Sequence, residues 1–197
     1  MNVFVVHGSP RKQGNSSFLA GKFIESLGAQ DVSEVHLTDL QYKGCSGCMA
    51  CRKQAEDCVM RDGLSPVLAA VKKADVTVLA APIYQENING DMKCLIDRFF
   101  SYLAPDHFQR LAAGVSHLPT RIGQNKTVVT ILAQGQPETL YPYHKDSLHA
   151  VMGEMGFEHI HIARCCDLNS SKDSRTREDL FALLGGMAKE IREHYKK

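Results

Sequence analysis

Residues 3–17 read Val-Phe-Val-Val-His-Gly-Ser-Pro-Arg-Lys-Gln-Gly-Asn-Ser-Ser, an apolar run followed by a polar turn. A short continuous apolar run of this kind is typical of a strand buried on both faces of a parallel sheet. Residues 15–27 follow with apolar side chains, among them Leu19 and Phe23, on one face of a helix. The stretch therefore predicts a buried strand, a loop and an amphipathic helix, the first unit of an α/β protein.

The same alternation continues to the end of the chain. It predicts further strands at residues 32–37, 75–81, 126–133 and 157–163, and further helices at residues 65–73, 90–103, 143–155 and 176–195. Strands alternating with helices indicate a parallel sheet covered on both faces, a three-layer α/β/α sandwich. Five strands suit a doubly wound sheet of order 2-1-3-4-5, whose ligand site lies beyond the carboxyl ends of the strands. Residues 104–125 form the longest predicted irregular stretch, which suits an active-site lid or a subunit contact.

Length and charge narrow the class of protein. We expect 197 residues to form a single domain spanning residues 1–197. A net charge of +1 without a basic run argues against nucleic-acid binding. The N-terminus lacks the features of a signal peptide, and no apolar run reaches the roughly 18 residues of a membrane span. We therefore expect a cytoplasmic protein with neither nucleic acid nor a membrane as its partner.

The loop at residues 8–17 suits a phosphate group, because a helix start offers unpaired backbone N–H groups and the positive end of the helix dipole. Four side chains could complete the phosphate site: Ser9, Arg11, Ser16 and Ser17. The loop is not a Walker loop, since no Gly-Lys-Ser/Thr closes it, and it lacks the Gly-x-Gly-x-x-Gly dinucleotide pattern. The alternative is a polar turn in which Asn15 or Ser16 simply caps the helix.

Three segments carry a resemblance to a known family. Gly-Ser-Pro-Arg-x-x-Gly-Asn-Ser at residues 8–16 resembles the phosphate loop of the NAD(P)H-dependent FMN reductase and iron–sulfur flavoprotein group, within the flavodoxin-like superfamily. Ala-Pro-Ile-Tyr at residues 81–84 is similar to the family's Pro-x-Tyr loop against the flavin, and residues 93–98 are similar to its Lys-x-x-x-Asp-Arg helix. The resemblance implies a flavodoxin-like fold. We interpret Asp97 and Arg98 as a structural ion pair or helix surface.

The resemblance also implies a set of FMN-binding residues. Those expected to hold the phosphate are Ser9, Arg11, Asn15, Ser16 and Ser17. Pro82 and Tyr84 would shape the loop against the flavin, with backbone groups of Ile83, Gln85 and Asn87 near the ring and the ribityl chain. By position after the fourth strand, Ala133, Gln134 and Gly135 would supply a third ring contact. Tyr84 is the side chain expected to flank the flavin, with a purely structural role as its alternative.

Four of the seven cysteines crowd into a cysteine-rich segment, residues 44–62, with the spacing Cys-x2-Cys-x2-Cys-x6-Cys: Cys45, Cys48, Cys51 and Cys58. The first three occupy a stretch without helical periodicity and suit three corners of a cubane cluster, with the last as the fourth. Zinc more commonly takes two Cys-x-x-Cys hooks from separated segments. Similarity to the compact cysteine motif of iron–sulfur flavoproteins implies a [4Fe-4S] cluster. Val59 replaces the proline of the ferredoxin run, so a metal-free segment, zinc and a disulfide stay open.

The function that this resemblance implies is an FMN-dependent oxidoreductase. It would take electrons from NAD(P)H or a ferredoxin and pass them to a flavin, a quinone or another acceptor, with the [4Fe-4S] cluster as a candidate relay. The cofactor carries the electron and hydride steps, so we assign no catalytic acid or base. A non-enzymatic flavodoxin-like electron carrier and a zinc-stabilised binding module are the alternatives. Relatives assemble so that one subunit covers another's flavin, which implies a homo-oligomer.

Overall fold

The computed structural model describes residues 1–53, 57–115, 118, 120–170 and 172–196. Its strands are β1 (Asn2–His7), β2 (Asp31–His36), β3 (Val76–Tyr84), β4 (Asn87–Ile88), β5 (Thr127–Ala133) and β6 (His159–Cys165). Its α-helices are α1 (Asn15–Leu27), α2 (Ala50–Lys53), α3 (Leu64–Lys73), α4 (Gly90–Arg98), α5 (His107–Ala112), α6 (Tyr143–Glu154) and α7 (Glu178–His194). Short 3-10 turns lie at Leu37–Asp39, Phe99–Tyr102 and Asp173–Thr176.

The sheet has five parallel strands in the order β2-β1-β3-β5-β6. The sixth strand, β4, is antiparallel to the end of β3 and pairs Ile88 with Ile83 and Asn87 with Tyr84. The predicted flavodoxin-like α/β sandwich is confirmed, and the parallel strands keep the predicted order when β4 is set aside. The count of five strands was wrong because a two-residue strand has no periodicity to detect.

Each face of the sheet carries its own apolar core. Successive side chains of a strand point to opposite faces, so Val3 and Val5 pack on one side of the sheet while Phe4 and Val6 pack on the other. Helices α1 and α7 cover the first side, and α3, α4 and α6 cover the second. Phe23 on α1 is fully buried, and burial of such a side chain contributes about 1.5–3 kcal/mol. The core thereby fixes the strand ends that carry the site.

Several predicted boundaries or segments need correction. Strand β3 ends at Tyr84, not at residue 81, and β6 runs over His159–Cys165, not over residues 157–163. Helix α4 ends at Arg98, not at residue 103, because the chain tightens into a 3-10 turn in which Phe99 stacks on Tyr102. The stretch at residues 104–125, predicted as irregular, contains α5, whose six residues are too few to show an amphipathic pattern. Cys51 lies in the single-turn helix α2, so the prediction that it belongs to a non-helical stretch was wrong.

Parts of two predicted segments fall outside the described residues. These are residues 54–56 of the cysteine-rich segment and residues 116, 117 and 119 of the stretch at 104–125. Among the helices of the described ranges, none combines the length and the apolar character that crossing a membrane requires.

Candidate functional site

The carboxyl ends of β1, β3, β5 and β6 open onto one cleft, at the edge where doubly wound sheets bind ligands. The cleft is lined by residues from four loops: Ser9, Arg11, Gly14, Asn15, Ser16, Pro82, Ile83, Tyr84, Ala133, Gly135, Leu168, Asn169 and Ser170. The three loops predicted to hold FMN therefore meet, and a fourth loop joins them. Four predicted residues do not line the cleft: Ser17, Gln85, Asn87 and Gln134.

The start of α1 lies open toward this cleft. Gly14 occupies the N-cap position, and no side chain in the described ranges caps the helix, so the alternative in which Asn15 or Ser16 serves as a plain cap does not hold. The first turn of α1 also carries no acidic residue. Unpaired N–H groups and an uncompensated helix dipole favour an anion at this point.

The phosphate loop holds its own shape by local hydrogen bonds. The backbone N–H of Arg11 donates to Ser9 Oγ at 3.1 Å, and the N–H of Gly14 donates to the Arg11 carbonyl at 2.9 Å. Ser9 and Ser16 are both buried, whereas Arg11 is exposed. Ser17 Oγ lies buried without a hydrogen-bond partner in the described part of the chain. The loop thus presents hydroxyl groups from within and a guanidinium at its rim.

Gly8 stands where the phosphate loop passes closest to α4. A Cβ atom at Gly8 would lie only 2.9 Å from the Cβ of Met92. The Gly8 carbonyl accepts a 2.6 Å hydrogen bond from the side-chain amide of Asn89, which is 3% exposed. We did not predict a role for Asn89 from the sequence. It joins the phosphate loop to the hairpin of β3 and β4.

The hairpin between β3 and β4 forms a second wall of the cleft. Tyr84 is 45% exposed there, which leaves its ring free to flank a planar ligand. Gln85 and Glu86 both have positive φ, 44° and 64°, so the chain turns sharply away from the cleft after Tyr84. Asn87 uses its side-chain oxygen to accept the backbone N–H of Ile88.

The loop after β5 contributes Ala133 and Gly135 to the lining of the cleft. Gln134, between them, is buried and holds the loop by hydrogen bonds. Gln134 is 3% exposed; its amide donates to the Gln136 carbonyl at 3.0 Å, and its oxygen accepts from Arg164 at 3.1 Å. Arg164 donates further hydrogen bonds to the carbonyls of Glu138 and Leu140. Arg164 is therefore a support of this wall, which the sequence did not reveal.

The fourth loop, after β6, was missed. Asn15 donates from its side-chain amide to the Ser170 carbonyl at 2.7 Å and accepts from the Ser174 hydroxyl at 2.8 Å. These bonds hold Leu168, Asn169 and Ser170 against the start of α1. Leu168, Asn169 and Ser170 follow the last predicted strand and so lie at the same edge of the sheet as the other three loops. This position could have identified them from the sequence.

The residues of the cleft fit FMN. The open start of α1, with Ser9, Ser16 and Arg11 around it, suits a phosphate, and Tyr84 stands at the wall beside it. A Cβ atom at Gly135 would lie 3.3 Å from Asn169 Oδ1, so glycine at this position lets the loop after β5 approach the loop after β6 closely at the cleft.

A second cavity lies in the cysteine-rich segment and is lined by all four predicted ligands, Cys45, Cys48, Cys51 and Cys58. Each is a free thiol. In the ranges that the structure describes, no group of three or more His, Cys, Asp or Glu residues is arranged to hold a metal ion. Four thiols around one cavity nevertheless form the donor set that an iron–sulfur cluster requires, so on donor chemistry the residues fit a cluster.

Arg98 holds the ends of the cysteine-rich segment. Its buried guanidinium donates to the Lys43 carbonyl at 3.1 Å, to the Asp62 carboxylate at 2.9 Å and to the Met60 carbonyl at 3.2 Å. Asp97 instead pairs with Lys93, one turn earlier on the exposed surface of α4. The two residues thus take separate structural partners.

Local hydrogen bonds and burial set the acidity of this segment. Hydrogen bonding to the backbone of Ala50 and to Ser46 lowers the pKa of Cys48, whereas burial and then the neighbouring Cys58 raise the pKa of Cys51. Burial alone would raise the pKa of Asp62, but the hydrogen bond from Arg98 and two backbone N–H groups lower it overall. Asp62 is therefore held as a carboxylate beside Arg98.

Residues 1–133 match the sequence model of the NADPH-dependent FMN reductase family. An iron–sulfur flavoprotein of Archaeoglobus fulgidus is 32% identical over 147 residues, which cover 73% of this chain and 60% of that protein. A second iron–sulfur flavoprotein of the same organism is 37% identical over 101 residues, 50% of this chain and 48% of that protein. The chain thus spans about half to three fifths of the length of these relatives.

Solved structures agree on the fold. An NAD(P)H:quinone oxidoreductase of Methanothermobacter marburgensis superposes with a TM-score of 0.72 at 14% identity, over 97% of this chain and 96% of that one. An FMN-dependent NADH-azoreductase of Bacillus anthracis, solved in complex with FMN, superposes with a TM-score of 0.71 at 14% identity, over 98% and 100% of the two chains. At such identities the likeness shows the fold alone.

Proposed function

This chain belongs to the NADPH-dependent FMN reductase family, and from that membership we propose that it is an FMN-dependent oxidoreductase with its flavin in the cleft described above. The observation that carries the proposal is the uncapped start of α1, which opens onto a cleft walled by four loops at the carboxyl edge of the sheet. FMN supplies hydride and single-electron transfer when it is bound. The chain supplies binding, orientation and exclusion of water.

Each wall has its own task in this proposal. Ser9, Ser16 and the N–H groups at the start of α1 bind the phosphate, with Arg11 as its counter-charge. The hairpin places Pro82, Ile83 and Tyr84 along the ring, and the backbone at Ala133 and Gly135 closes the opposite side. Four further residues stay in the proposal as contacts at the rim or through the backbone: Ser17, Gln85, Asn87 and Gln134. Asn15, through its bonds to Ser170 and Ser174, keeps the fourth loop in place.

We also propose that the four cysteines of the cysteine-rich segment hold a [4Fe-4S] cluster. Two observations support it: the four thiols line one cavity, and the relatives from Archaeoglobus fulgidus are named iron–sulfur flavoproteins. A bound cluster would supply one-electron transfer beside the flavin. Cys45, Cys48, Cys51 and Cys58 would each contribute one thiolate.

The electron donor in this proposal is NAD(P)H or a ferredoxin, and the acceptor is a flavin, a quinone or another small molecule. The test is an absorption spectrum of anaerobically purified protein, followed by steady-state turnover of NADH or NADPH with free flavin or quinone. Flavin absorbance together with turnover supports the oxidoreductase. Flavin absorbance without turnover would favour an electron carrier, and a colourless protein with stoichiometric zinc would favour a binding module.

Two further parts of the proposal concern assembly and compartment. Phe108 and Leu111, three residues apart on α5, and Val115, shortly after its end, are apolar side chains that are 44%, 53% and 37% exposed. Exposed apolar side chains so close in the chain suit a protein contact, so we propose a homo-oligomer, which light scattering of the purified protein tests. All seven cysteines are free thiols, which suits a reducing compartment such as the cytoplasm.

A further inference from the structure

The two ends of the cysteine-rich segment meet at one side chain. Arg98 bonds the carbonyl of Lys43, two residues before the first cysteine, and the carbonyl of Met60, two residues after the last. Arg98 also forms an ion pair with Asp62, at the C-terminal end of the segment. Asp62 also accepts the backbone N–H groups of Lys43 and Leu64. The Arg98 guanidinium therefore joins the two ends of the segment, together with the Lys43 N–H bond to Asp62 and a backbone bond from the Gly63 N–H to the Gln41 carbonyl at 2.9 Å.

Because Arg98 is buried, each of its N–H donors needs a hydrogen-bond acceptor within the protein. The side chain is fully buried, whereas that of Asp62 is 18% exposed. A buried arginine is tolerated when its donors are satisfied, and the two terminal nitrogens of Arg98 meet this condition. The Nε–H group is different, because it is buried with no acceptor among the described residues.

Arg98 also lines the cavity of the four cysteines. The Arg98 Nε–H, which lacks an acceptor among the described residues, therefore lies on a side chain that borders the cavity proposed to hold the sulfur atoms of the cluster. A hydrogen bond to the sulfur atoms of a cluster, and a positive charge near them, stabilise the reduced and more negative form and so raise the reduction potential. Lysine could keep the charge at this position, but it could not reproduce the planar fork.

We propose that Arg98 is a positioning residue for the cluster: it closes the cysteine-rich segment through Lys43, Met60 and Asp62, and its Nε–H donates to sulfur in the cavity. The inference rests on the proposed [4Fe-4S] cluster. It adds that a residue outside the four ligands governs both how firmly the cluster is held and how readily it is reduced.

The experiment compares wild-type protein with Arg98→Lys and Asp62→Asn, all reconstituted anaerobically with iron and sulfide. Two quantities are measured: the rate at which iron is lost to a chelator, and the midpoint potential of the cluster, followed by electron paramagnetic resonance. We expect both variants to lose iron about tenfold faster or more, the usual cost of removing an outer partner of a metal site. We expect only Arg98→Lys to have a lower potential, since Asp62→Asn removes a negative charge and keeps the Nε–H donor. Mere loosening of the segment would shift both potentials in the same direction.

Arg164→Lys is the matched control. Like Arg98, Arg164 is buried, donates to backbone carbonyls of a loop and has an Nε–H without an acceptor among the described residues, but it supports the cleft wall. It should leave iron release and the potential unchanged. Circular dichroism reports whether each variant is folded, and Asp62→Asn tests the closure if Arg98→Lys does not fold. A wild-type release rate or a wild-type potential in folded Arg98→Lys overturns the inference. Wild-type protein that takes up no iron overturns the proposed cluster instead.

Discussion

Asn89 and Gly8 lie 81 positions apart in the chain, yet the side-chain amide of Asn89 donates a 2.6 Å hydrogen bond to the carbonyl oxygen of Gly8. The backbone N–H of Asn89 donates at the same time to the carbonyl of Pro82, at 3.1 Å. One buried residue therefore ties the loop that would hold the FMN phosphate to the loop that would meet the flavin ring.

Replacement of Asn89 by alanine should loosen both loops together. It removes the donor and leaves the Gly8 carbonyl unsatisfied in a buried place, which costs about 1–3 kcal/mol. We expect a lower free energy of unfolding by this amount in urea titration and a weaker affinity for FMN in fluorescence titration. Gln30→Ala, which removes an exposed amide bonded only to a nearby carbonyl, is the control. An Asn89→Ala protein with unchanged stability and FMN affinity would contradict this role.

Gly8→Ala should destabilise the protein, because its new Cβ would lie 2.9 Å from the Met92 Cβ. Overpacking of this kind typically costs about 1–3 kcal/mol. Gly21→Ala on α1 is the matched control, since nothing lies within 4 Å of a Cβ there. In a helix interior that change should stabilise by up to about 1 kcal/mol. Thermal unfolding of both variants tests the pair, and equal effects would show that Gly8 is not needed for close approach.

The phosphate site makes a prediction about affinity. Arg11→Ala combined with Ser16→Ala should weaken FMN binding by a few kcal/mol, at roughly 1.5–3 kcal/mol for each charge-linked hydrogen bond. Lys12→Ala is the control, because Lys12 is the neighbouring cation but pairs with Asp39 at 2.7 Å and does not line the cleft. Fluorescence titration with FMN measures each affinity. Unchanged binding in the double variant would mean that the phosphate lies elsewhere.

The same site predicts a preference for FMN over FAD. The proposal includes a single phosphate site, the loop at residues 8–17, and the sequence carries no second pyrophosphate or adenine motif. Heat release of the bound cofactor, followed by chromatography, should therefore yield mainly FMN. Mainly FAD in the extract would refute the assignment of this cleft.

The fold was predictable because its signals are local and periodic. Strands β1, β3 and β5 are apolar runs because both faces of the sheet are buried. Leu19 and Phe23 have helical spacing because one face of α1 packs on that sheet. Helix α1 runs over residues 15–27, as predicted. The short elements β4, α2 and α5 were missed because two to six residues complete too little of a period to be recognised.

The supports of the site could not be predicted, because they depend on distance in space. Nothing in the local sequence of Asn89 or Arg164 shows that one bonds to Gly8 and the other to the loop after β5. Asp97 and Arg98 were interpreted as a structural ion pair or helix surface, which was wrong for Arg98, because its side chain is buried and pairs with Asp62, 36 positions away. Loops on a shared sheet edge can be grouped from topology, whereas their side-chain bonds need coordinates.

Stability should depend on pH through histidines. Burial, and then the charge of Arg164, lower the pKa of His144 below its ordinary value of 6.5. The unfolded chain therefore binds a proton near pH 6.5 that the folded chain binds only at lower pH. Stability from this residue is complete above that pH and is lost as the pH falls through the window below it. Each unit of pKa difference corresponds to about 1.4 kcal/mol.

His144→Gln should make the free energy of unfolding less dependent on pH as the pH falls below the ordinary histidine value of 6.5. His36 and His161 also have pKa values lowered mainly by burial, so part of the dependence should remain. His149→Gln, an exposed position on the same helix α6, is the control and should keep the wild-type dependence. Urea titrations at several pH values measure this. An identical slope in His144→Gln and wild type would rule out the contribution of His144.

The cysteine-rich segment makes the last prediction. Cys48 is exposed, so replacing it with alanine should cost little stability, while a cubane cluster deprived of one of its four thiolates should be lost or strongly depleted. We expect anaerobically reconstituted wild-type protein to hold about four irons and four sulfides per chain, and Cys48→Ala to lose most of this iron. FMN should stay bound in the variant, because the phosphate loop lies in a different part of the sheet edge. Cys94→Ala, which removes a thiol outside the segment, should keep the iron. Iron-free wild-type protein would leave a flavin-only enzyme as the better interpretation, whereas full iron in Cys48→Ala would show that Cys48 is not one of the ligands.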